Sequence, residues 1–289
     1  MSSFPKEFAV LEDDSGRRLF VKVFANGAAV EYERSRVLFE TSKRSRQFRA
    51  PEPLKLVEPE GIIIFEYIHD LVGCREYLVR SIRSHLEASQ QRLGLIRRIG
   101  RSLASIHDGF SSVKGSRESV EFEIVTNVSP NLRSRVVEVL SNSPKKPMHG
   151  DFSGGNVFTL TSDGEPNVVV LDPTAHPYLS TAQQQESFGS IYLDAAQFVF
   201  SISCHPRFYP LLAREVDQYA EELSIGYQEA SGYNLDRATL LTSAAIISRK
   251  YQEHFDRRRN RFSFSDWRDR RIRTKAAQRL LVLAERMRS

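Results

Sequence analysis

The stretch HGDFSGGN, residues 149–156, and the acidic residue Asp172 decide how this chain is interpreted. Asp172 ends the apolar run NVVVLD, sixteen positions after Asn156. The runs NVFTL and NVVVLD flank the turn sequence TSDG, and two apolar runs around such a turn predict a β-hairpin. A hairpin brings the end of its second strand back beside the start of its first. Asn156 and Asp172 are therefore predicted to lie side by side at the open end of the hairpin, which we call its mouth.

The spacing of these oxygen-bearing side chains fits the chemistry of phosphoryl transfer from ATP. That reaction needs one carboxylate to accept the proton of the attacking hydroxyl, and a second carboxylate and an amide oxygen to hold Mg²⁺ on the phosphates. Asp151 is therefore the candidate base, and Asn156 and Asp172 are the candidate metal ligands. The alternative interpretation is that Asp151 and Asn156 only cap turns, which Asp and Asn beside glycines often do.

The first 70 residues carry the pattern of a small β-rich lobe. Alternating apolar residues on both sides of Asp14-Ser15-Gly16 predict a hairpin over Phe8 to Val23, with Lys22 in its second strand. Helical spacing follows over Ala28 to Ser42, and the runs KLVEP and GIIIFEYI then predict two more strands. We take residues 1–70 as the N-terminal lobe.

From about residue 71 to residue 289 the hydrophobic period becomes mainly helical. The segment Arg92 to His107 places apolar residues at intervals of three and four, which predicts a helix with one buried face. Further helices are predicted over four segments: Tyr192 to Ile202, Pro210 to Ser231, Asn234 to Phe255 and Ser265 to Arg288. The expected architecture is α+β, with a larger helical C-terminal lobe.

The composition is that of a folded chain with a full core, since 40% of the residues are hydrophobic and 27% are charged. Cys74 and Cys204 have no close-spaced Cys or His partner, which argues against a disulfide framework and a structural zinc site. The apolar runs fall short of the roughly 20 residues that a membrane helix needs. The first ten residues do not form a secretory signal, so we expect a cytoplasmic protein without a membrane span.

The net charge of +5 is concentrated at the C-terminus. Residues 256–289 contain 12 Lys or Arg and 4 Asp or Glu, a balance of +8, whereas the preceding residues carry 29 − 32 = −3. Such a block is typical of a solvated helix face, and binding of RNA or another polyanion through this basic tail is the alternative interpretation.

Several segments together resemble one family, the aminoglycoside phosphotransferase and choline kinase superfamily of protein-kinase-like small-molecule kinases. The resemblance runs from about Arg18 to Ser203. Its pieces are FVKVF, YERSRVLF, IIIFEYI, SLASIH, HGDFSGGNVF, VVVLDP and YLDAAQFVF. In style it is closest to the fructosamine and methylthioribose kinases.

The resemblance implies a bilobal protein-kinase-like fold and an enzyme that uses ATP and Mg²⁺. It implies transfer of the γ-phosphoryl group to a hydroxyl of a small molecule, such as a sugar, an amino sugar or a similar metabolite. Asp151 would be the base, and His149 would brace the catalytic loop by hydrogen bonding. Asp194 and His107 would support that loop from beneath.

The resemblance also assigns the nucleotide-binding residues. Lys22 would hold the α- and β-phosphates and would itself be held by a glutamate. We favour Glu33 for that partner because Val37 follows it by one turn, with Glu31 as the second choice; an exposed surface charge is the alternative for each.

The strand IIIFEYI would contribute the adenine site. Phe65 would lie behind the adenine, and Glu66 and Ile68 would offer backbone groups to its edge. A buried central strand needs the same apolar pattern without any ligand.

One feature departs from the family. The first glycine is Gly16, which lies in the predicted hairpin turn, so the loop that usually covers the phosphates is missing or abbreviated. This departure leaves open a catalytically weak, kinase-like nucleotide-binding or scaffold protein. The sequence does not identify the acceptor or the oligomeric state.

Overall fold

The structure is a computed structural model that describes residues 5–83, 87–112, 128–160, 167–174, 188–258 and 264–287. Within these residues the chain forms nine strands and nine α-helices. The strands are β1 (Pro5–Glu12), β2 (Arg18–Phe24), β3 (Pro53–Val57), β4 (Ile62–Glu66), β5 (Val72–Gly73), β6 (Lys145–Pro147), β7 (Val157–Leu160), β8 (Asn167–Val170) and β9 (Phe188–Ser190). The helices are α1 (Ala28–Ser45), α2 (Cys74–Arg83), α3 (Glu87–Gly109), α4 (Pro130–Asn142), α5 (Tyr192–Ser203), α6 (Leu211–Arg214), α7 (Val216–Ser231), α8 (Arg237–Arg258) and α9 (Phe264–Arg286).

The N-terminal strands form one antiparallel sheet in the order β1-β2-β4-β3. The predicted hairpin is β1 and β2, joined by a turn in which the Asp13 carboxylate accepts hydrogen bonds from the amides of Ser15 and Arg17, both at 2.9 Å. Phe24, Ala28, Ile63 and Phe65 form a small core between this sheet and α1. Lys22 of β2 pairs in register with Ile63 of β4, so the lysine lies in the middle of the sheet.

The hairpin that follows HGDFSGGN consists of β7 and β8, with β5 on the outer side of β7. Val157 pairs with Val170, and the Leu171 amide donates to the Asn156 carbonyl at 2.9 Å. The start of β7 and the end of β8 therefore lie side by side, as the sequence predicts.

The helical part surrounds a large core built mainly from α3, α5, α7 and α8. The predicted stripe on α3 is confirmed, with Ile96, Ile99, Leu103 and Ile106 fully buried. Helices α3 and α7 approach closely at Gly100, where a Cβ atom would collide with the Leu223 carbonyl. A side chain at position 100 would therefore force α3 and α7 apart.

Two predicted helices have different bounds. The segment Pro210 to Ser231 forms α6 and α7, because Glu215 departs from helical geometry at φ −103° and ψ 6°. Helix α8 begins at Arg237 rather than Asn234 because the Asp236 carboxylate accepts the Thr239 amide at 2.8 Å and caps the helix. None of the described helices is both long and apolar enough to cross a bilayer. The lobe boundary at residue 70 stays a prediction.

Candidate active site

A buried carboxylate shapes the loop that carries the candidate base. Asp194, at the start of α5, accepts the amides of His149 at 2.7 Å and Gly150 at 2.9 Å. It also contacts His107 Nε2 at 3.0 Å, and His107 Nδ1 in turn contacts the Tyr227 hydroxyl at 2.9 Å. Burial raises the pKa of Asp194, but the bonds from His107 and the loop outweigh burial and hold this pKa below its usual range. Asp194 is therefore an ionised anchor for the loop.

The loop turns at Gly150, whose φ of +89° lies in the left-handed region that glycine adopts at little cost. This turn directs the next residue, Asp151, back toward Gln197 and Asn156. Gln197 Nε2 donates to Asp151 Oδ1 at 3.2 Å, and Asn156 Nδ2 donates to Asp151 Oδ2 at 3.0 Å. Both carboxylate oxygens thus receive a hydrogen bond, and the orientation of the carboxylate is fixed.

Burial raises the pKa of Asp151 to about 6, while the bonds from Gln197 and Asn156 oppose that rise. An acceptor of protons works best when its pKa lies close to the working pH. Asp151 has such a pKa and is still ionised at neutral pH.

His149 has a structural position. Its Nε2 lies 2.9 Å from the Leu171 carbonyl, which fixes the ring between the loop and the end of β8. Burial lowers the pKa of His149 to about 4, so the imidazole is neutral at physiological pH and donates from Nε2. This geometry supports the predicted bracing role of His149.

Asp172 lies at the hairpin mouth beside Asn156 and faces the N-terminal sheet. Its φ of +54° is left-handed, which is uncommon for a residue other than glycine. Its carboxylate forms an ion pair with Lys22 Nζ. The Lys22 side chain is only 5% exposed and the Asp172 side chain is 40% exposed, so the pair lies at the inner end of an open cleft.

The structure contradicts the choice of Glu33 as the lysine's neighbour. Glu33 is exposed on α1 and pairs with Arg36 at 3.6 Å. Glu31 is buried and lies close enough to Lys22 and Asp172 for both to affect its pKa. The second choice, Glu31, is therefore the glutamate that the fold brings to the lysine.

Burial raises the pKa of Glu31 to about 8, and the nearby Lys22 only partly opposes this effect. The folded protein then keeps a proton on Glu31 that the unfolded chain releases near pH 4.5, so the free energy of unfolding falls as pH rises from about 5 to 8. We expect Glu31→Gln to remove this pH-dependent fall in stability. At pH 8 its free energy of unfolding should exceed that of wild type by on the order of 1–3 kcal/mol.

The measurement is urea unfolding at pH 5 and pH 8, with Glu33→Gln as the exposed control on the same helix. The stability advantage of Glu31→Gln should grow between the two pH values, whereas Glu33→Gln should follow wild type. An equal pH dependence in all three proteins would contradict the buried, raised pKa of Glu31.

A cavity of about 380 Å³ opens between the N-terminal sheet and the hairpin. Its lining includes all three predicted adenine-site residues, Phe65, Glu66 and Ile68, together with Lys22 and Asp172. The Glu66 side chain is held by Arg49 at 2.5 Å, and the Glu66 amide donates to the Glu52 carbonyl at 2.9 Å. The volume lies in the range of about 300–1,000 Å³ that is usual for small-molecule sites.

The donor set fits a nucleotide with one hard cation. Asn156 uses its amide nitrogen on Asp151, which leaves its amide oxygen for another partner. The described residues contain no cluster of three or more His, Cys, Asp or Glu that could hold a metal ion. Two protein oxygens, such as one from Asn156 and one from Asp172, completed by phosphates and water, match the way Mg²⁺ is usually held at nucleotide sites.

Two contributors were not predicted as site residues. Gln197 follows Asp194 by three positions on α5, so both side chains lie on one face of the helix toward the loop. Arg34 follows Glu31 by three positions on α1 and reaches the same loop region. Each lies three positions after a residue that the sequence had already indicated, Asp194 or Glu31. That helical spacing was the signal that could have identified them.

No protein-family model and no curated protein sequence matches the chain. Solved structures do match. A glucosamine kinase is 13% identical, with a TM-score of 0.59 over 99% of this chain and 80% of that one. A microcompartment-associated aminopropanol kinase is 15% identical, with a TM-score of 0.56 over 99% and 91%. The choline kinase LicA from Streptococcus pneumoniae is 10% identical, with a TM-score of 0.50 over 96% and 92%.

These likenesses establish the fold. The chain has an α+β fold similar to that of these three solved small-molecule kinases. The predicted resemblance is confirmed at the level of the fold.

Proposed function

We propose that the protein is a phosphotransferase that uses ATP and Mg²⁺ to phosphorylate a hydroxyl group of a small molecule. The observation that carries the proposal is that Lys22 and Asp172 line the cavity, while Asp151 lies close enough to Asp172 to feel its charge and is hydrogen-bonded to Asn156. This set pairs a fixed carboxylate of raised pKa with two oxygen donors and a buried ammonium. Lys22 and Asp172 are 150 residues apart in the chain, so their ion pair, unlike the local contact between Asp151 and Asn156, cannot be explained by turn capping.

Asp151 would orient the acceptor hydroxyl and take its proton. The bonds from Gln197 and Asn156 keep the carboxylate in one orientation, so an acceptor meets a fixed oxygen. Fixed placement of this kind lowers the barrier because the orientational entropy is lost before the reaction begins. Gly150 and Asp194 set the loop that makes this placement possible.

Lys22 would contact the phosphates of the nucleotide, and Phe65, Glu66 and Ile68 would surround the adenine. Asn156 and Asp172 would hold Mg²⁺, which when bound neutralises charge on the phosphates. Glu31 lies behind Lys22 and would influence its position.

Two further proposals accompany this one. The acceptor is a small hydroxyl compound whose identity the described residues do not define, and the cytoplasmic location stays a prediction from the sequence. A kinase-like scaffold that binds nucleotide without transfer, and a polyanion-binding role of the basic tail, are the alternatives.

We expect Mg²⁺·ATP to stabilise the protein. At 100 times the dissociation constant the gain is about 2.7 kcal/mol, because the ligand binds only the folded state. For a chain of this size that gain is a rise in Tm of about 5 °C. Thermal unfolding with ATP, with and without Mg²⁺, measures it.

Asp172→Asn should lose most of the part of the shift that depends on Mg²⁺. The matched control is Asp217→Asn, which changes a partly exposed aspartate on α7 that pairs with Arg237. The absence of any shift in wild type at millimolar Mg²⁺·ATP would contradict the proposed function.

A further inference from the structure

Arg34 on α1 is a buried arginine, 3% exposed, that connects two loops of the candidate active site. Its guanidinium donates to four backbone carbonyls from these loops: Met148 at 2.7 Å, His149 at 3.1 Å, Pro173 at 3.1 Å and Thr174 at 3.5 Å. The first two carbonyls immediately precede the Gly150-Asp151 turn, and the other two immediately follow Asp172. One side chain therefore holds both loops at once.

Burying a guanidinium costs free energy unless its N–H groups are hydrogen-bonded. Arg34 avoids much of that cost because its N–H groups bind the four carbonyls. The plane of Arg34 also packs against the buried ring of Phe110, with Cζ 5.1 Å from the ring centre. Hydrogen bonds from a charged donor are stronger than those between neutral groups. Arg34 is thus a strong and rigid connection.

Arg34 also binds beside a residue with an uncommon backbone conformation. Asp172 has a left-handed φ of +54°, and Arg34 binds the carbonyl of the next residue, Pro173. A residue other than glycine keeps such a conformation when its surroundings determine it from several sides. The guanidinium supplies one of those constraints for Asp172.

We propose that Arg34 is a positioning residue that sets the distance between Asp151 and Asp172 and ties both to α1. The inference rests on the proposed function, because it assigns the candidate base and the candidate metal ligand to one rigid unit. Glu31 lies one turn earlier on the same buried face of α1. Helix α1 therefore brings to the site both the glutamate beside Lys22 and the arginine that spaces the two aspartates.

The fork of an arginine is necessary for this role. Its Nε donates to one loop and its Nη2 donates to both, whereas a lysine ammonium is a single point of charge on a flexible stem. Arg34→Lys should keep the charge and part of the bonding, and Arg34→Gln should lose the bridge. Arg36→Gln is the matched control, because Arg36 lies two residues further on and is 60% exposed.

The first measurement is steady-state kinetics with the acceptor found by screening. A displacement of about 1 Å at a reacting group reduces the rate by about 100-fold, so we expect Arg34→Gln to lower kcat by about 100-fold. The KM for ATP should rise by a smaller factor than kcat falls, because the adenine site is intact although Asp172 is displaced. Arg34→Lys should fall between Arg34→Gln and wild type, and Arg36→Gln should match wild type.

The second measurement needs no activity. Amide hydrogen exchange of the protein without nucleotide should show faster exchange at residues 149–151, 172 and 174 in Arg34→Gln, with the α7 and α8 core unchanged. Wild-type kcat and wild-type protection in a folded Arg34→Lys or Arg34→Gln would overturn the proposal. So would a loss of protection spread evenly over the chain, with no rescue by lysine.

The two proposals fail differently. If wild type transfers no phosphoryl group, the proposed function fails, and hydrogen exchange still decides whether Arg34 holds the two loops. If wild type is active and the Arg34 variants behave like Arg36→Gln, only the role of Arg34 is wrong.

Discussion

Asp151→Asn is expected to lose phosphoryl transfer by about 10³-fold, within the 10²–10⁴-fold range that general base catalysis contributes. The amide keeps the shape of the side chain and still accepts a hydrogen bond, but it cannot take the proton of the acceptor hydroxyl. The measurement is ADP release with a panel of hydroxyl-bearing metabolites, compared with wild type.

The same variant should have nearly the stability of wild type. Burial raises the pKa of Asp151 to about 6, above its value in the unfolded chain, so its ionisation at neutral pH disfavours the folded state. A neutral amide removes this effect but accepts only one of the two bonds from Gln197 and Asn156, so Tm at pH 7.5 should stay close to that of wild type. Asp108→Asn is the control, because Asp108 is an exposed aspartate that pairs with Lys146 outside the candidate site.

Full transfer activity in Asp151→Asn would rule out Asp151 as the base. A loss of activity together with a large fall in Tm would indicate a structural role instead. The expected combination, an inactive protein of nearly wild-type stability, separates the two.

Asp194→Ala is expected to destabilise the protein by on the order of 3–5 kcal/mol. The carboxylate is fully buried and accepts the amides of His149 and Gly150 as well as a bond from His107. Alanine would leave three buried donors without their partner, and each such donor costs about 1–3 kcal/mol. Urea unfolding measures the loss.

Asp194→Asn offers the conservative comparison, since it keeps the size and one acceptor oxygen and should be destabilised less than alanine. Asp217→Asn should stay within about 1 kcal/mol of wild type because it breaks only a partly exposed ion pair with Arg237. A wild-type unfolding free energy in Asp194→Ala would show that the buried network does not support the loop.

The hairpin mouth could be predicted because it depends on local sequence. Two apolar runs and a turn determine the register of β7 and β8, and the register alone brings Asn156 and Asp172 together. The roles of Phe65, Glu66, Ile68 and Lys22 came from the resemblance to a kinase family rather than from local pattern, and the structure brings all four to the lining of one cavity.

The spacing to Val37 selected the wrong glutamate as the neighbour of Lys22. Residues two apart on a helix point in different directions, so only one of Glu31 and Glu33 can face the sheet. Val37 suggested Glu33, but the buried stripe of α1 passes through Glu31, Arg34 and Leu38, at intervals of three and four. Following the stripe through Leu38 instead of Val37 would have selected Glu31 and revealed Arg34.

Contacts between segments that are distant in the chain could not be predicted from the sequence. Strand β6 pairs with β9 over three residues, and neither carries an alternating pattern long enough to identify a strand. The bond from Gln197 to Asp151 depends on how α5 packs under the loop. Such features follow from tertiary packing rather than from local preference.

A crystal structure with Mg²⁺ and a non-hydrolysable ATP analogue tests the account most directly. The account predicts one metal ion with Asn156 Oδ1 and an Asp172 oxygen at about 2.0–2.1 Å, the distance that Mg²⁺ requires. It also predicts Lys22 on the phosphates and the γ-phosphate facing Asp151. A nucleotide bound elsewhere, or a metal ion that touches neither Asn156 nor Asp172, would contradict it.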